Sequence, residues 1–250
     1  MNGEQMESER AYKRFLELAR RADRAYAGQF TRFLDPAGRE IALRAAEEEC
    51  VPASFWGGYP DAERVMACFG EDMVEEWPVS WLKLGFNPRY GAPGHRDLLG
   101  ALMGLGVVRE HLGDIVLDES CAYLCCTGEI APFIMNNLQS AGSVHLKIER
   151  LDEPPRLPPP VGKTIRTTVA SPRLDAMLAA GFDLSREQAR QMVVQGKTRV
   201  NYRLQLKPDI SLEEGDLVSV RGLGRFKLME NNGTTRKGRA SMTLFRYGGR

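Results

Sequence analysis

The sequence predicts an α+β protein built from three successive parts. Helical periodicity dominates the first part, a β-α-β-β-α-β order follows, and after a proline-rich stretch two short helices precede several strands. An apolar content of 43% over 250 residues is sufficient for two or three buried cores. We therefore predict domains at residues 1–73, 74–153 and 171–250, with residues 154–170 as a proline-rich linker.

The N-terminal domain is predicted to be mostly helical. Apolar residues recur at helical spacing within residues 4–27. Asp35 then supplies an N-cap and Pro36 a first helical residue for a second helix that runs to about Cys50. The segment SFWGGYPDAERVMACFG predicts a short aromatic strand or loop, followed by a third helix that ends near Gly70.

The order of elements in the second domain predicts a ferredoxin-like fold. VSWLKLGFN alternates like a strand, GHRDLLGALMGLGV has the apolar spacing of a helix, and GDIVLDES and CAYLCCTGEI are apolar strands. APFIMNNLQSAG predicts a helix that ends at Gly142, and SVHLKIERLDE predicts a final strand. This order is typical of an antiparallel sheet covered on one face by two helices.

Charge separates the C-terminal third from the rest of the chain. From Val161 onward there are 17 Lys and Arg against 8 Asp and Glu, whereas residues 1–160 hold 17 against 25. A basic module on an acidic body indicates nucleic-acid binding, because cations that neutralise phosphates release condensed counterions. No apolar run approaches the roughly 18 residues of a membrane span, so we expect a cytoplasmic protein with no membrane partner.

The cysteines and histidines predict neither a metal site nor a cofactor. The five cysteines form no CxxC pair, and the three histidines do not cluster with them. We interpret Cys121, Cys125 and Cys126 as small apolar residues on a strand in a reducing compartment. The expectation is therefore a protein without metal or cofactor.

The segment LSREQARQMVVQG predicts a capped helix with a basic edge. Ser185 followed three residues later by Gln188 is a capping box, and Gly196 supplies the left-handed residue after the helix. The apolar stripe of this helix leaves Arg186 and Arg190, four residues apart, together beside it. A buried helix has no need of these arginines, so they indicate an acidic partner surface.

The neighbouring segments extend this basic module. SPRLDAMLAAG predicts a helix stopped by Gly181, and KTRVNYRLQLK alternates polar with apolar residues, which predicts a strand or a hairpin that turns at Asn201 and Tyr202. Later strands follow in SLEEGDLVSVRG and in a final hairpin. The candidate RNA contacts are Arg173, Arg186, Arg190, Lys197, Arg199, Asn201, Arg203, Lys207, Arg221 and Arg225.

Two stretches, RLDAMLAAGFDLSREQARQMVVQGKTRVN and LKPDISLEEGDLVSV, resemble the S4 domain, a small RNA-binding fold. With FNPRYGAPGHRDLLGALMGLGVVREHLGDIVLDE and FIMNNLQSAGSVHLKIE upstream, the whole chain resembles the YlmH-type S4-domain proteins of bacteria. The resemblance implies a non-enzymatic RNA-binding protein of ribosome-associated quality control. The implied partners are large-subunit rRNA and tRNA, with ribosomal proteins as further partners, and we expect a monomer. The usual S4 pattern has glycine where Tyr202 stands.

Two other functions remain open at this point. An RLD tripeptide, here Arg173 to Asp175, also occurs in the active sites of pseudouridine synthases, so an RNA-modifying enzyme is one alternative. The tripeptide lies inside the S4 helix with no catalytic domain after it, which favours a structural carboxylate, either near a helix start or paired with Arg173. A cell-division scaffold is the other alternative. The loop around Arg89 and Arg96 is a further candidate ligand site.

Overall fold

The structure is a computed structural model that describes residues 3–60, 62–71, 73–235 and 238–248, with side chains from Met6 onward. It divides into two compact units, one that ends at Pro158 and one that begins at Pro159. The first unit therefore contains both the N-terminal and the central parts of the chain. Among the described helices, none is long and apolar enough to cross a membrane.

Two helices cover a small sheet at the N-terminus. The helices α1 (Gly3–Ala25) and α2 (Pro36–Glu48) pack through a buried stripe of alanines together with Phe15. Asp35 caps α2 by accepting the amide of Gly38 at 2.7 Å, as the Asp-Pro pair predicted. The strands β1 (Gln29–Phe30), β2 (Ala53–Trp56) and β3 (Met66–Phe69) pair antiparallel in the order β1-β3-β2.

The predicted third helix before Gly70 is wrong, because β3 occupies that segment. All four residues of β3 are buried: Ala67 and Phe69 pack with the two helices, and Met66 packs with Phe33 on the other side. A short run that is apolar on every face does not reveal its period. Gly70, with φ of +93°, ends the strand rather than a helix. The N-terminal part therefore combines its two predicted helices with a small sheet that was not predicted.

The central part follows the order β-α-β-β-α-β. Its main elements are β4 (Val79–Gly85), α3 (His95–Gly104), β5 (Leu112–Leu117), β6 (Cys121–Thr127), α4 (Ala131–Asn137) and β9 (Lys147–Leu151). The strands pair antiparallel in the order β5-β6-β4-β9. Both helices cover one face of this sheet, with Leu82, Leu98 and Ile134 fully buried between them. On the other face, Trp81 packs with Phe33 of the N-terminal part.

A short hairpin changes the end of the central part. The helix α4 ends at Asn137 and not at Gly142 as predicted, because β7 (Ser140–Ala141) and β8 (Val144–His145) pair across that glycine. Gly142 has φ of +59°, so it serves the hairpin turn rather than a helix end.

The C-terminal unit is a six-stranded antiparallel sheet with two helices on one face. Its strands are β10 (Gly162–Val169), β11 (Thr198–Val200), β12 (Arg203–Leu204), β13 (Leu217–Val220), β14 (Gly224–Thr234) and β15 (Ala240–Tyr247). They pair in the order β10-β15-β14-β13-β11-β12. The helices α5 (Leu174–Phe182) and α6 (Arg186–Val194) pack on Val218, Phe226 and Leu244.

The predicted linker is partly wrong, because residues 162–169 form the strand β10. This strand pairs with β15 along its whole length, from Gly162 opposite Tyr247 to Val169 opposite Ala240. Ile165 packs on the helix side with the core of the unit. The prolines that suggest a linker end at Pro160, and the alternation that follows them has the period of a strand.

The helix α5 does not stop at Gly181 as predicted. It continues to Phe182 and is ended by Asp183, whose φ of +55° is left-handed. Gly181 serves packing instead, because a Cβ atom there would lie 2.8 Å from the ring of Phe226. The glycine near the end of this helical pattern is therefore not the cap, because its missing side chain leaves space for the Phe226 ring.

We predict that Gly181→Ala destabilises the C-terminal unit by about 1–3 kcal/mol, because the added methyl group overpacks Phe226. Gly100→Ala is the matched control, since a Cβ atom at Gly100 in α3 meets nothing within 4 Å and alanine favours helix by up to about 1 kcal/mol. Amide hydrogen exchange should accelerate in α5 and α6 for the first variant only. Unchanged exchange in both variants would contradict the packing role of Gly181.

Candidate nucleic-acid interface

The helix α6 begins with the predicted capping box. The Ser185 hydroxyl accepts the amide of Gln188 at 3.1 Å, and the Gln188 side-chain oxygen accepts the amide of Ser185 at 2.9 Å. Gly196, with φ of +69°, follows the helix as predicted. Both ends of the helix are therefore fixed by local contacts, and Arg186 and Arg190 are exposed on it.

A buried carboxylate holds two of the predicted arginines. Asp175 is only 6% exposed and accepts hydrogen bonds from Arg173 Nε and Nη2 at 3.3 Å. The same carboxylate accepts a bond from Arg186 Nη2 at 2.9 Å. Two arginines from successive helical segments therefore share one anchor, and the predicted pairing of Asp175 with Arg173 is confirmed.

These arginines keep Asp175 ionised. Burial by itself raises the pKa of this carboxyl group, but the hydrogen bonds and charges of Arg186 and Arg173 outweigh burial, and its pKa lies below the usual value. The side chains of Arg173 and Arg186 remain 42% and 56% exposed. Because a guanidinium carries five N–H donors, each arginine keeps donors that can reach a phosphate.

Two further cations are close to Arg186 along α6 or to Asp175 through the backbone. Arg190 follows Arg186 by one helical turn. Lys207 directly precedes Pro208, whose carbonyl accepts the amide of Asp175 at 3.0 Å. We call Arg173, Arg186, Arg190 and Lys207 the helix-edge group. All four members are cations, and two of them, Arg173 and Arg186, contact the carboxylate of Asp175.

Four of the other predicted cations lie elsewhere in the unit. Lys197 and Arg221 lie together beyond the end of α6, where the Arg221 amide donates to the Lys197 carbonyl at 2.9 Å. Arg199 and Arg225 lie on the face of the sheet that points away from the helices, because both are register partners of Ser219. The predicted residues therefore do not form one continuous site.

The hairpin between β11 and β12 turns at Asn201 and Tyr202, as predicted. Their φ angles of +49° and +67° are those that a two-residue hairpin turn requires, so the turn forms although tyrosine replaces the usual glycine. The Asn201 side chain donates to Asp216 at 2.7 Å and accepts the Leu217 amide at 3.0 Å. The Asn201 side chain therefore stabilises the turn through contacts within the protein. Arg203, after the turn, is exposed.

Sequence reasoning missed an aromatic pair on the outer side of the sheet. Phe245 and Tyr247 pack edge to face with ring centroids 5.0 Å apart, and the Arg225 guanidinium lies 4.6 Å from the Tyr247 ring centroid. Lys227 is the register partner of Phe245. The alternation in MTLFRY, whose Met242 and Leu244 face the core, was the signal that could have found this pair.

The loop between β4 and α3 presents a separate group of exposed side chains. Tyr90 is 81% exposed, and Arg89 and Arg96 are exposed near it in the sequence. Asn87 accepts the amide of Arg89 at 3.1 Å and so holds the short 3-10 turn at the start of the loop. A ligand-binding role for this loop stays a prediction.

The cysteines of β6 lie in the core of the first unit. Cys121, Cys125 and Cys126 are buried free thiols, which confirms their interpretation as apolar strand residues. Burial raises the pKa of Cys126 to about 12, so this thiol stays protonated and unreactive. In the part of the chain that the structure describes, no cluster of His, Cys, Asp and Glu has the composition of a metal site.

Comparisons with known proteins give the family. Three family profiles match in chain order: "YlmH, N-terminal" over residues 7–73, "Putative RNA-binding domain in YlmH" over residues 73–153 and "S4 domain" over residues 172–218. The chain is 34% identical over 236 residues to "Ribosome-associated protein quality control protein P2" of Bacillus subtilis (strain 168), and the alignment covers 92% of each chain. The chain belongs to the YlmH family.

A solved structure shares the YlmH fold. "Cell division protein ylmH from Streptococcus pneumoniae" matches with a TM-score of 0.51 at 18% identity, over 58% of this chain and 91% of that chain. The S4 profile confirms the predicted S4 domain and contains the whole helix-edge group. It ends at Val218, so the strands β10, β14 and β15 lie outside it.

We predict that Asp175→Asn lowers the free energy of unfolding by about 1–3 kcal/mol at neutral pH, because two arginines lose their shared anion. The folded-state pKa of Asp175 is depressed, so its contribution is present above the unfolded pKa of about 4 and disappears as the pH falls through the folded-state pKa. In chemical denaturation at several pH values, the free energies of unfolding of the wild type and of Asp175→Asn should become equal in acid.

The matched control is Asp183→Asn. This carboxylate is 87% exposed and lies 3.7 Å from Arg246, so its loss should cost less than about 1 kcal/mol. If the free energies of unfolding of the wild type and of Asp175→Asn differ by the same amount in acid as at neutral pH, the charge of Asp175 does not stabilise the fold.

Proposed function

We propose that this protein is a non-enzymatic RNA-binding protein that associates with the large ribosomal subunit in the cytoplasm. In this proposal the S4 domain contacts rRNA and tRNA during ribosome-associated quality control of stalled translation. The observation that carries the proposal is the anchoring of Arg173 and Arg186 on the buried carboxylate of Asp175 inside the S4 domain. The name of the Bacillus subtilis relative, which aligns over 92% of the chain, supports the assignment to ribosome-associated quality control.

Anchored arginines suit the recognition of folded RNA. Folded RNA presents phosphates and 2′-hydroxyl groups on an irregular surface that is read mainly by shape. A guanidinium binds phosphate oxygens through two parallel hydrogen bonds, and an arginine that is already oriented loses less conformational entropy on binding. Asp175 orients two such groups from one point, while Arg190 and Lys207 add charge nearby.

The surroundings of Asp175 favour a structural role over a catalytic one. Its carboxylate accepts three hydrogen bonds from arginine side chains, and its pKa is lowered, which makes it a poor general base. We expect that rRNA and tRNA from cells without this protein keep every modification that the wild-type RNAs carry. Mass mapping of both RNA classes measures this, and a missing modification would overturn the non-enzymatic assignment.

We predict that Arg186→Gln combined with Arg190→Glu releases the protein from large subunits. Glutamine is preferred at the first position because a glutamate would stand against Asp175, which lies 2.9 Å from the guanidinium of Arg186. Co-sedimentation should fall at least about tenfold, and the slope of log affinity against log salt should become shallower by about 1–2.

Arg21→Gln combined with Arg10→Glu makes the same charge change on α1 and is the matched control. Both of these arginines are exposed, so this variant should co-sediment almost as the wild type does. Circular dichroism establishes that both variants are folded. Equal loss of binding in the two variants would show that net charge alone causes the loss. Normal binding by the helix-edge variant would contradict the assignment of Arg186 and Arg190 as RNA contacts.

A further inference from the structure

We propose that the face of the C-terminal sheet opposite its helices is a second RNA site, which stacks unpaired bases of a single strand on Phe245 and Tyr247. We call Arg199, Arg225, Lys227, Phe245 and Tyr247 the outer-face group. The proposal rests on the proposed RNA-binding function and adds to it a separate surface with a different kind of RNA ligand.

The strand register brings the outer-face group together from three strands, β11, β14 and β15. Phe245 on β15 is opposite Thr164 on β10 and Lys227 on β14. In the neighbouring row, Ser219 on β13 lies between Arg225 on β14 and Arg199 on β11. Side chains of a strand alternate between faces, and the residues that flank this group, such as Phe226 and Leu244, are buried beneath the helices. The group therefore occupies one continuous surface.

The aromatic rings are held in a fixed arrangement. The two rings meet at an interplanar angle of 89° with centroids 5.0 Å apart, and Arg225 covers Tyr247 at 4.6 Å. Both rings are partly exposed. An aromatic side chain that is ordered before binding can stack on any base, because every base has a π-face.

A glycine makes room for one of these rings. A Cβ atom at Gly162 would lie 2.5 Å from Cζ of Phe245 and 2.5 Å from the carbonyl oxygen of Arg246. The Phe245 ring therefore lies directly over the backbone of β10, where no larger residue leaves it space. This contact fixes the ring against the sheet, and it accounts for the glycine at the start of β10.

The charge of the outer-face group fits a polyanion. One row across the sheet consists of Thr164, Phe245, Lys227 and Leu217, and the next consists of Gly162, Tyr247, Arg225, Ser219 and Arg199. These two rows contain three cations and no carboxylate. Cations interleaved with aromatic rings are the combination that binds single-stranded nucleic acid: the cations follow the phosphates while the bases stack.

This surface is separate from the helix-edge group. The helices α5 and α6, which carry Arg173, Arg186 and Arg190, pack on the opposite face of the same sheet. Four of the five outer-face residues, all but Arg199, also follow the end of the S4 profile at Val218. One RNA segment on the helices and another on the outer face are therefore sterically compatible.

The test uses the full chain and a single-stranded uridine-rich oligonucleotide of about 12 nucleotides with one 2-aminopurine. Stacking of this base on a protein ring quenches its fluorescence, which gives both a stacking signal and an affinity. Phe245→Leu combined with Tyr247→Leu keeps apolar side chains but removes both rings. We expect this variant to lose most of the quenching and to bind the oligonucleotide roughly 5- to 100-fold more weakly.

Two controls separate this site from the fold and from the proposed function. Phe245→Tyr combined with Tyr247→Phe keeps an aromatic ring at both positions and moves only the hydroxyl group. This variant should bind and quench as the wild type does, because the rings and not the hydroxyl stack on the base. Arg186→Gln combined with Arg190→Glu should lose large subunits but keep the oligonucleotide within about threefold, as expected for independent sites. Where the double leucine variant does not fold, Tyr247→Leu alone supplies the measurement.

Three results would overturn the second site. The leucine variant could quench and bind as the wild type does, the wild type could bind large subunits but not the oligonucleotide, or the helix-edge variant could lose both ligands together. The second of these leaves the proposed function intact. A wild-type protein that binds neither RNA would overturn the proposed function as well.

Discussion

A buried charge must be paired, and in this protein that constraint organises the helix side of the S4 domain. Asp175 lies at the start of α5 with little exposure, so two arginines approach it from different segments. The carboxylate fixes both guanidinium groups without using all of their donors. Arg173 and Arg186 therefore have two roles at once: each stabilises the fold by pairing with Asp175, and each presents positive charge at the surface.

The same sheet supports two chemically different surfaces. The helix side carries charge on anchored arginines, which suits the phosphates of a folded RNA. The outer side carries aromatic rings between cations, which suits bases that are free of pairing. The alternation of side chains along β14 and β15 produces this division, because one set of residues fills the core and the other remains at the surface.

Local signals in the sequence predicted the parts of the fold that depend on local chemistry. The capping box at Ser185, the N-cap at Asp35 and the turn at Asn201 were predictable because each depends on neighbours within a few residues. The strand β3 and the packing role of Gly181 were not, since both are decided by distant residues that bury them. The contact between Arg186 and Asp175 joins residues eleven positions apart, whereas Arg173, for which pairing was predicted, is only two positions from Asp175.

Zero-length ultraviolet crosslinking of the full chain to purified large ribosomal subunits, followed by mass spectrometry of the peptide–RNA adducts, tests the central claim most directly. The account predicts adducts on peptides of the S4 domain that contain Arg173, Arg186 or Arg190, and their loss when Asp175→Asn frees the arginines. Adducts confined to residues before Pro158, with none in the S4 domain, would contradict it.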